Sequence, residues 1–103
     1  MSDPRTAIGE LTLALEIFRQ LGDREGEILS RLAIGRVHEV HRQYPEALAH
    51  ARSAFALLDP ATGRPARADA LNALGWFTAL WLVRNRPRSL RRSSFAVPGA
   101  WFP

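Results

Sequence analysis

Ala33-Ile34-Gly35-Arg36-Val37 and Ala73-Leu74-Gly75-Trp76-Phe77 decide the fold, because the second stretch restates the first at an offset of forty residues. A further pair keeps the same offset: Ala7-Ile8 with Ala14-Leu15 returns as Ala47-Leu48 with Ala54-Phe55. A fixed period of about 20–50 residues points to stacked helical units, each laying its apolar face on its neighbour. The expected fold is all-α, with antiparallel helix hairpins stacked as a short solenoid of about four helices. Proteins built this way work by presenting a surface to a partner.

Outward from these stretches, apolar spacing predicts the individual helices. The first is predicted from about Pro4 to Leu21, with Asp3 at the N-cap and Pro4 in the first turn, where its missing N–H costs nothing. Ala7, Leu11, Ala14, Leu15 and Phe18 form its apolar face, and Gly22 ends it. Asp23 caps a second helix that reaches about Arg42, with Glu25 and Glu27 near its positive end and Ile28, Leu32, Ile34, Val37 and Val40 turned inward. A third helix is predicted from about Pro45 to Leu58, closed by Asp59-Pro60. The fourth starts near Pro65 and continues to about Val83 through Ala68, Leu71, Leu74, Phe77 and Leu80. No segment reads as a strand.

The charge divides the chain in two. Residues 1–83 hold nine arginines against ten acids, whereas residues 84–103 hold five arginines and no acid. This predicts a helical repeat domain over 1–83 and a basic, proline- and serine-containing tail over 84–103, mostly disordered, with Phe95, Trp101 and Phe102 as an apolar anchor. There is no cysteine, which excludes disulfides, thiolate catalysis and cysteine-based zinc sites and suits a reducing cytoplasm. The longest apolar stretch, Trp76 to Val83, is far too short to span a bilayer. The N-terminus lacks the basic and apolar regions of a signal peptide. A cytoplasmic protein without membrane contact is the expectation.

Ile34-Gly35, with Ala47 and Ala54 seven residues apart and Pro60 behind them, resembles the tetratricopeptide repeat (TPR). In that motif a first helix carries Leu-Gly followed by an aromatic, and a second helix carries small residues seven apart. Leu74-Gly75 restates the first half, and Ala7 with Ala14 restates the second, so residues 4–83 read as half a repeat, one whole repeat and another half. Gly35 and Ala47 are expected to let two backbones approach closely. The linker Leu21-Gly22-Asp23-Arg24-Glu25-Gly26-Glu27 resembles the repeat arrays of large bacterial transcriptional regulators from GC-rich genomes. The resemblance implies a protein–protein interaction module, a truncated piece of such an array. His38 departs from the pattern where an aromatic belongs, and Ala51 where a bulky residue belongs. The next second helix should place small residues at Pro87 and Ser94, and Pro87 cannot lie inside a helix. The tail therefore takes that helix's place, as truncation or a shifted reading frame would produce.

The inner surface of such an array is lined by first helices. By position its partner-binding residues are Leu29, Arg36, Glu39, Asp69, Asn72 and Trp76. Arg36 and Asn72 are suited to a peptide carboxylate or backbone, and Trp76 to an apolar contact. An alternative reading is a small nucleic-acid-binding protein acting through Arg84, Arg86, Arg88, Arg91 and Arg92. A third is a gene remnant with no independent function. His38 and His41 share a helix face but read as structural rather than as metal ligands, and His50 with Glu46 reads as an exposed helical pair. No nucleophile–base pair, phosphate-binding loop or carboxylate pair emerges, so neither enzyme activity nor a cofactor is expected. Leu74, Phe77, Leu80 and Trp81 are expected to be partly uncovered, which makes the fourth helix a route to self-association.

Overall fold

The computed structural model describes residues 3–86. They form four helices, α1 (Pro4–Leu21), α2 (Arg24–Val40), α3 (Tyr44–Ala56) and α4 (Arg64–Asn85), with no strand among the described residues. The residues from 87 onward, including Arg88, Arg91, Arg92, Phe95, Trp101 and Phe102, lie outside them.

Local signals explain the first turn of the chain. The Asp3 carboxylate accepts the Thr6 N–H at 3.0 Å, closing the start of α1. At its end Gly22 takes a left-handed φ of 72°. Its N–H donates to the Arg19 carbonyl while the Asp23 N–H donates to that of Phe18, the paired bonds of a Schellman stop. Asp23 then caps α2 by accepting the Gly26 N–H at 2.9 Å. A Cβ on Gly26 would overlap the Phe18 ring, so glycine there lets α1 and α2 close on each other. The linker motif thus has a folding reason at each of its glycines and at its aspartate.

Two helix ends differ from expectation. α2 stops at Val40 rather than near Arg42, because Arg42 adopts a left-handed φ of 59° and turns the chain. Val40, predicted to face inward, is left exposed by that turn. α4 runs past Val83 to Asn85, so the predicted boundary between domain and tail falls inside a helix.

Polar contacts define how the helices run. Arg24, at the start of α2, reaches the Leu57 carbonyl at 3.4 Å and the Asp59 carboxylate at 3.3 Å, both just beyond α3, so α2 and α3 are antiparallel. Glu25 accepts the Gly63 N–H at 2.5 Å at the start of α4. At the far end Arg84 donates to the Arg42 carbonyl at 3.1 Å, so α2 and α4 run parallel. Asp59 also organises the α3–α4 turn: its carboxylate accepts the Ala61 N–H and its carbonyl accepts from Arg67. α1 packs on α2, and α3 packs on both α2 and α4.

The core is built on small residues. Ala47, Ala51 and Ala54 of α3 and Ala66, Ala70 and Ala73 of α4 share one buried cluster with Ile28, Leu32, Leu48 and Phe77. Close-packed alanines bring helix axes together, so the core holds few large side chains. The buried face of α4 is therefore not the predicted stripe, since Ala68 and Leu71 are exposed. Phe77, expected to be partly uncovered, is 1% exposed. Leu74 and Leu80 pack against the core and Trp81 is 37% exposed. The reason is that α4 leans on α2 as well as on α3, and two neighbours enclose one flank of it.

Candidate functional site

Because α2 and α4 run side by side, their exposed faces form one surface. Trp76 of α4 donates its indole N–H to the Glu39 carboxylate of α2 at 2.6 Å, tying the two helices across that surface. The ring itself stays 56% exposed. Its orientation is thus held by a charge-assisted bond while its apolar face is offered to solvent. Arg36 stands one repeat earlier than Trp76 in register and is exposed, as is Leu29 on the preceding turns of α2. Asp69 is half-buried.

Of the six residues singled out from sequence, the structure joins Glu39 and Trp76 directly. Asn72 is exposed, and its register equivalent is Leu32, which is fully buried on α2. Among the described residues neither Arg36 nor Asn72 has a side-chain hydrogen bond or ion pair. Both leave their polar groups to solvent. The Glu39–Trp76 bond has no sequence signature, because the residues lie thirty-seven positions apart and only the α2–α4 packing brings them together.

A second feature was not legible in the sequence. His41, Arg42, Tyr44, Leu80, Val83 and Arg84 line an open groove of about 570 Å³ where the end of α4 meets the α2–α3 turn. Arg84 lies over the Tyr44 ring at 5.6 Å while it holds the Arg42 carbonyl. This arginine, assigned from sequence to a basic tail, is a helix residue locked onto the fold. Arg42, one of its lining residues, turns left-handed, a backbone choice that residue spacing does not reveal.

The histidines also pair differently than expected. His50 does not form an exposed pair with Glu46. It is half-buried, and its ring stacks on His38 with centroids 5.5 Å apart and planes 13° apart. His38 Nδ1 is hydrogen-bonded to Gln43 Oε1 at 2.8 Å. His38 thus fills an aromatic role at the α2–α3 contact. Among the described residues no cluster of three or more His, Cys, Asp or Glu is placed to hold a metal ion.

Burial lowers the pKa of His50 below the ordinary 6.5, and the nearby His38 and Arg31 push it the same way. Well above pH 6.5 the ring is neutral in both folded and unfolded chains. As the pH falls below that value the unfolded chain takes up the proton first, so stability is lost until folded His50 itself protonates. Urea midpoints are expected to fall between pH 7.5 and pH 5.5, and His50→Phe is expected to shrink that fall while keeping the ring stack. An unchanged pH dependence in His50→Phe would assign the effect to other groups.

Comparison with protein-family models, with curated proteins and with solved structures gives no match for this chain. No helix among the described residues is long and apolar enough to cross a membrane.

Proposed function

We propose that the chain is a protein–protein interaction module of the TPR type, which binds a peptide or protein segment on the joint face of α2 and α4. The observation that carries this reading is the exposed Trp76 held by Glu39, with the unpaired Arg36 guanidinium on the same surface. An exposed tryptophan held by a hydrogen bond and an unpaired arginine are residue types in which binding hot spots are enriched. The approach of Gly35 to Ala47 supports the repeat reading, since a Cβ on Gly35 would lie 3.3 Å from the Ala47 carbonyl. Within this proposal the module is a piece of a bacterial transcriptional regulator's repeat array, and it works in the cytoplasm. That finer placement is supported by the linker from Leu21 to Glu27.

The nucleic-acid reading draws less support. Arg84 is occupied by Tyr44 and the Arg42 carbonyl. A guanidinium committed to the fold is a weaker phosphate contact than a free one.

The test is selection of ligands from a displayed random peptide library, followed by measurement of the selected peptides against variants. Arg36→Ala combined with Trp76→Ala is expected to weaken binding at least ~10-fold, or about 1.4 kcal/mol. Circular dichroism should stay unchanged, because both side chains are exposed. Peptides that bind the double variant as tightly as the parent would place the site elsewhere.

A further inference from the structure

The two ends of the helix stack are complementary halves of one packing unit. α3 is enclosed because it packs on α2 on one flank and on α4 on the other. Its Ala47, Ala51 and Ala54 are fully buried and Leu48 is nearly so. α1 carries the same register in Ala7, Ile8, Leu11 and Ala14, yet all four are only half-buried, because α1 packs on α2 with one flank and leaves the other open. The converse holds at the other end. Gly35 of α2 is buried, and a Cβ there would meet Phe77, the Ala47 carbonyl and His50 of its neighbours. Gly75 holds the same register on α4, is exposed, and would have a Cβ with nothing within 4 Å. Beside it Leu71 and Leu82 are 49% and 54% exposed. Among the described residues, then, no helix bearing small residues seven apart lies on the α4 end, and the α1 end is such a helix with an unused flank.

We propose that copies of this chain associate head to tail, with α1 of one copy docking on the open face of α4 of the next. In this arrangement Ala7 lies against Gly75 as Ala47 lies against Gly35, so the α4–α1 contact repeats the α2–α3 contact already present within the chain. The internal interface is the template for the external one. Such a contact joins two different surfaces, so a dimer leaves one of each free and growth continues past it, into a ring where the rotation closes and into a filament where it does not.

Sedimentation equilibrium of the full chain over a concentration series tests this. The mean mass is expected to climb with concentration past that of a dimer. Gly75→Leu, whose side chain enters open space in the single chain, is expected to remain at the monomer mass of 11.5 kDa. Ala7→Arg, which spoils the opposite end, is expected to do the same. An equimolar mixture of the two variants retains one good face of each kind and should give a one-to-one dimer that grows no further. A parent chain that stays monomeric throughout would overturn the proposal and assign the α4 face to residues 87–103 or to another protein. Association that survives Gly75→Leu would overturn it too, as would a parent dimer that the mixture fails to restore, the mark of two-fold pairing between α4 faces. Should Ala7→Arg fail to fold by circular dichroism, the parent and Gly75→Leu alone still decide the matter.

Discussion

Replacement of Phe77 by alanine is expected to cost about 3–5 kcal/mol of folding free energy, the range for truncating a buried aromatic. Among the described residues Phe77 is the largest fully buried side chain, and it stands in a core whose other contributors from α3 and α4 are mostly alanines. Those alanines cannot move in to fill the space, since they are anchored on helices already in contact. The ring also reaches Gly35 of α2, where an added Cβ would sit 3.1 Å from its Cε2 atom, so one side chain joins α4 to both of its neighbours. A domain of this size has roughly 5–15 kcal/mol of stability in all. The variant should accordingly lose at least ~12 °C of Tm, at about 4 °C or more per kcal/mol. Urea unfolding followed by circular dichroism measures it. Trp76→Ala is the control, a larger truncation at an exposed position. A loss below about 1 kcal/mol for Phe77→Ala would mean that α4 is not packed as described.

Alanine substitution at the two register-equivalent glycines is expected to act with opposite sign. At Gly35 the new methyl would press on the Phe77 ring at 3.1 Å and on the Ala47 carbonyl at 3.3 Å. Neither yields readily, because one is a fully enclosed ring and the other is helix backbone. Overpacking of this kind costs about 1–3 kcal/mol, which exceeds the gain of about 0.5–1 kcal/mol from replacing a helical glycine by alanine. At Gly75 nothing opposes the methyl, so the helix gain stands alone and Gly75→Ala should be stabilising by about 0.5–1 kcal/mol. The comparison belongs in dilute solution, where copies of the chain are apart. Equal effects at the two sites would mean that Gly35 is not pressed against Phe77 and Ala47 as described.

Much of the architecture was legible because its causes are local. Asp3, Gly22 and Asp23 each act within four residues of themselves, and so α1 begins and ends where the sequence predicts. The Gly35–Ala47 approach was legible too, because a recurring small residue at fixed spacing has a packing reason. The candidate surface was legible in part. Trp76, Arg36 and Leu29 are exposed as expected, but nothing in their spacing discloses that Glu39 holds the indole.

By itself the sequence determined that the described residues form four helices and no strand, with their order and the caps at Asp3, Gly22 and Asp23, since hydrophobic period and capping chemistry act over a single turn or two. Tertiary structure alone decided which flank of α4 is covered, that Arg84 belongs to a helix seated on Tyr44, and that His38 stacks on His50. Each of those depends on the distance between helix axes, which alanine contacts set and which no single helix's pattern encodes. The open flanks of α1 and α4 belong to the same category. They are surfaces only because the residues around them found neighbours elsewhere.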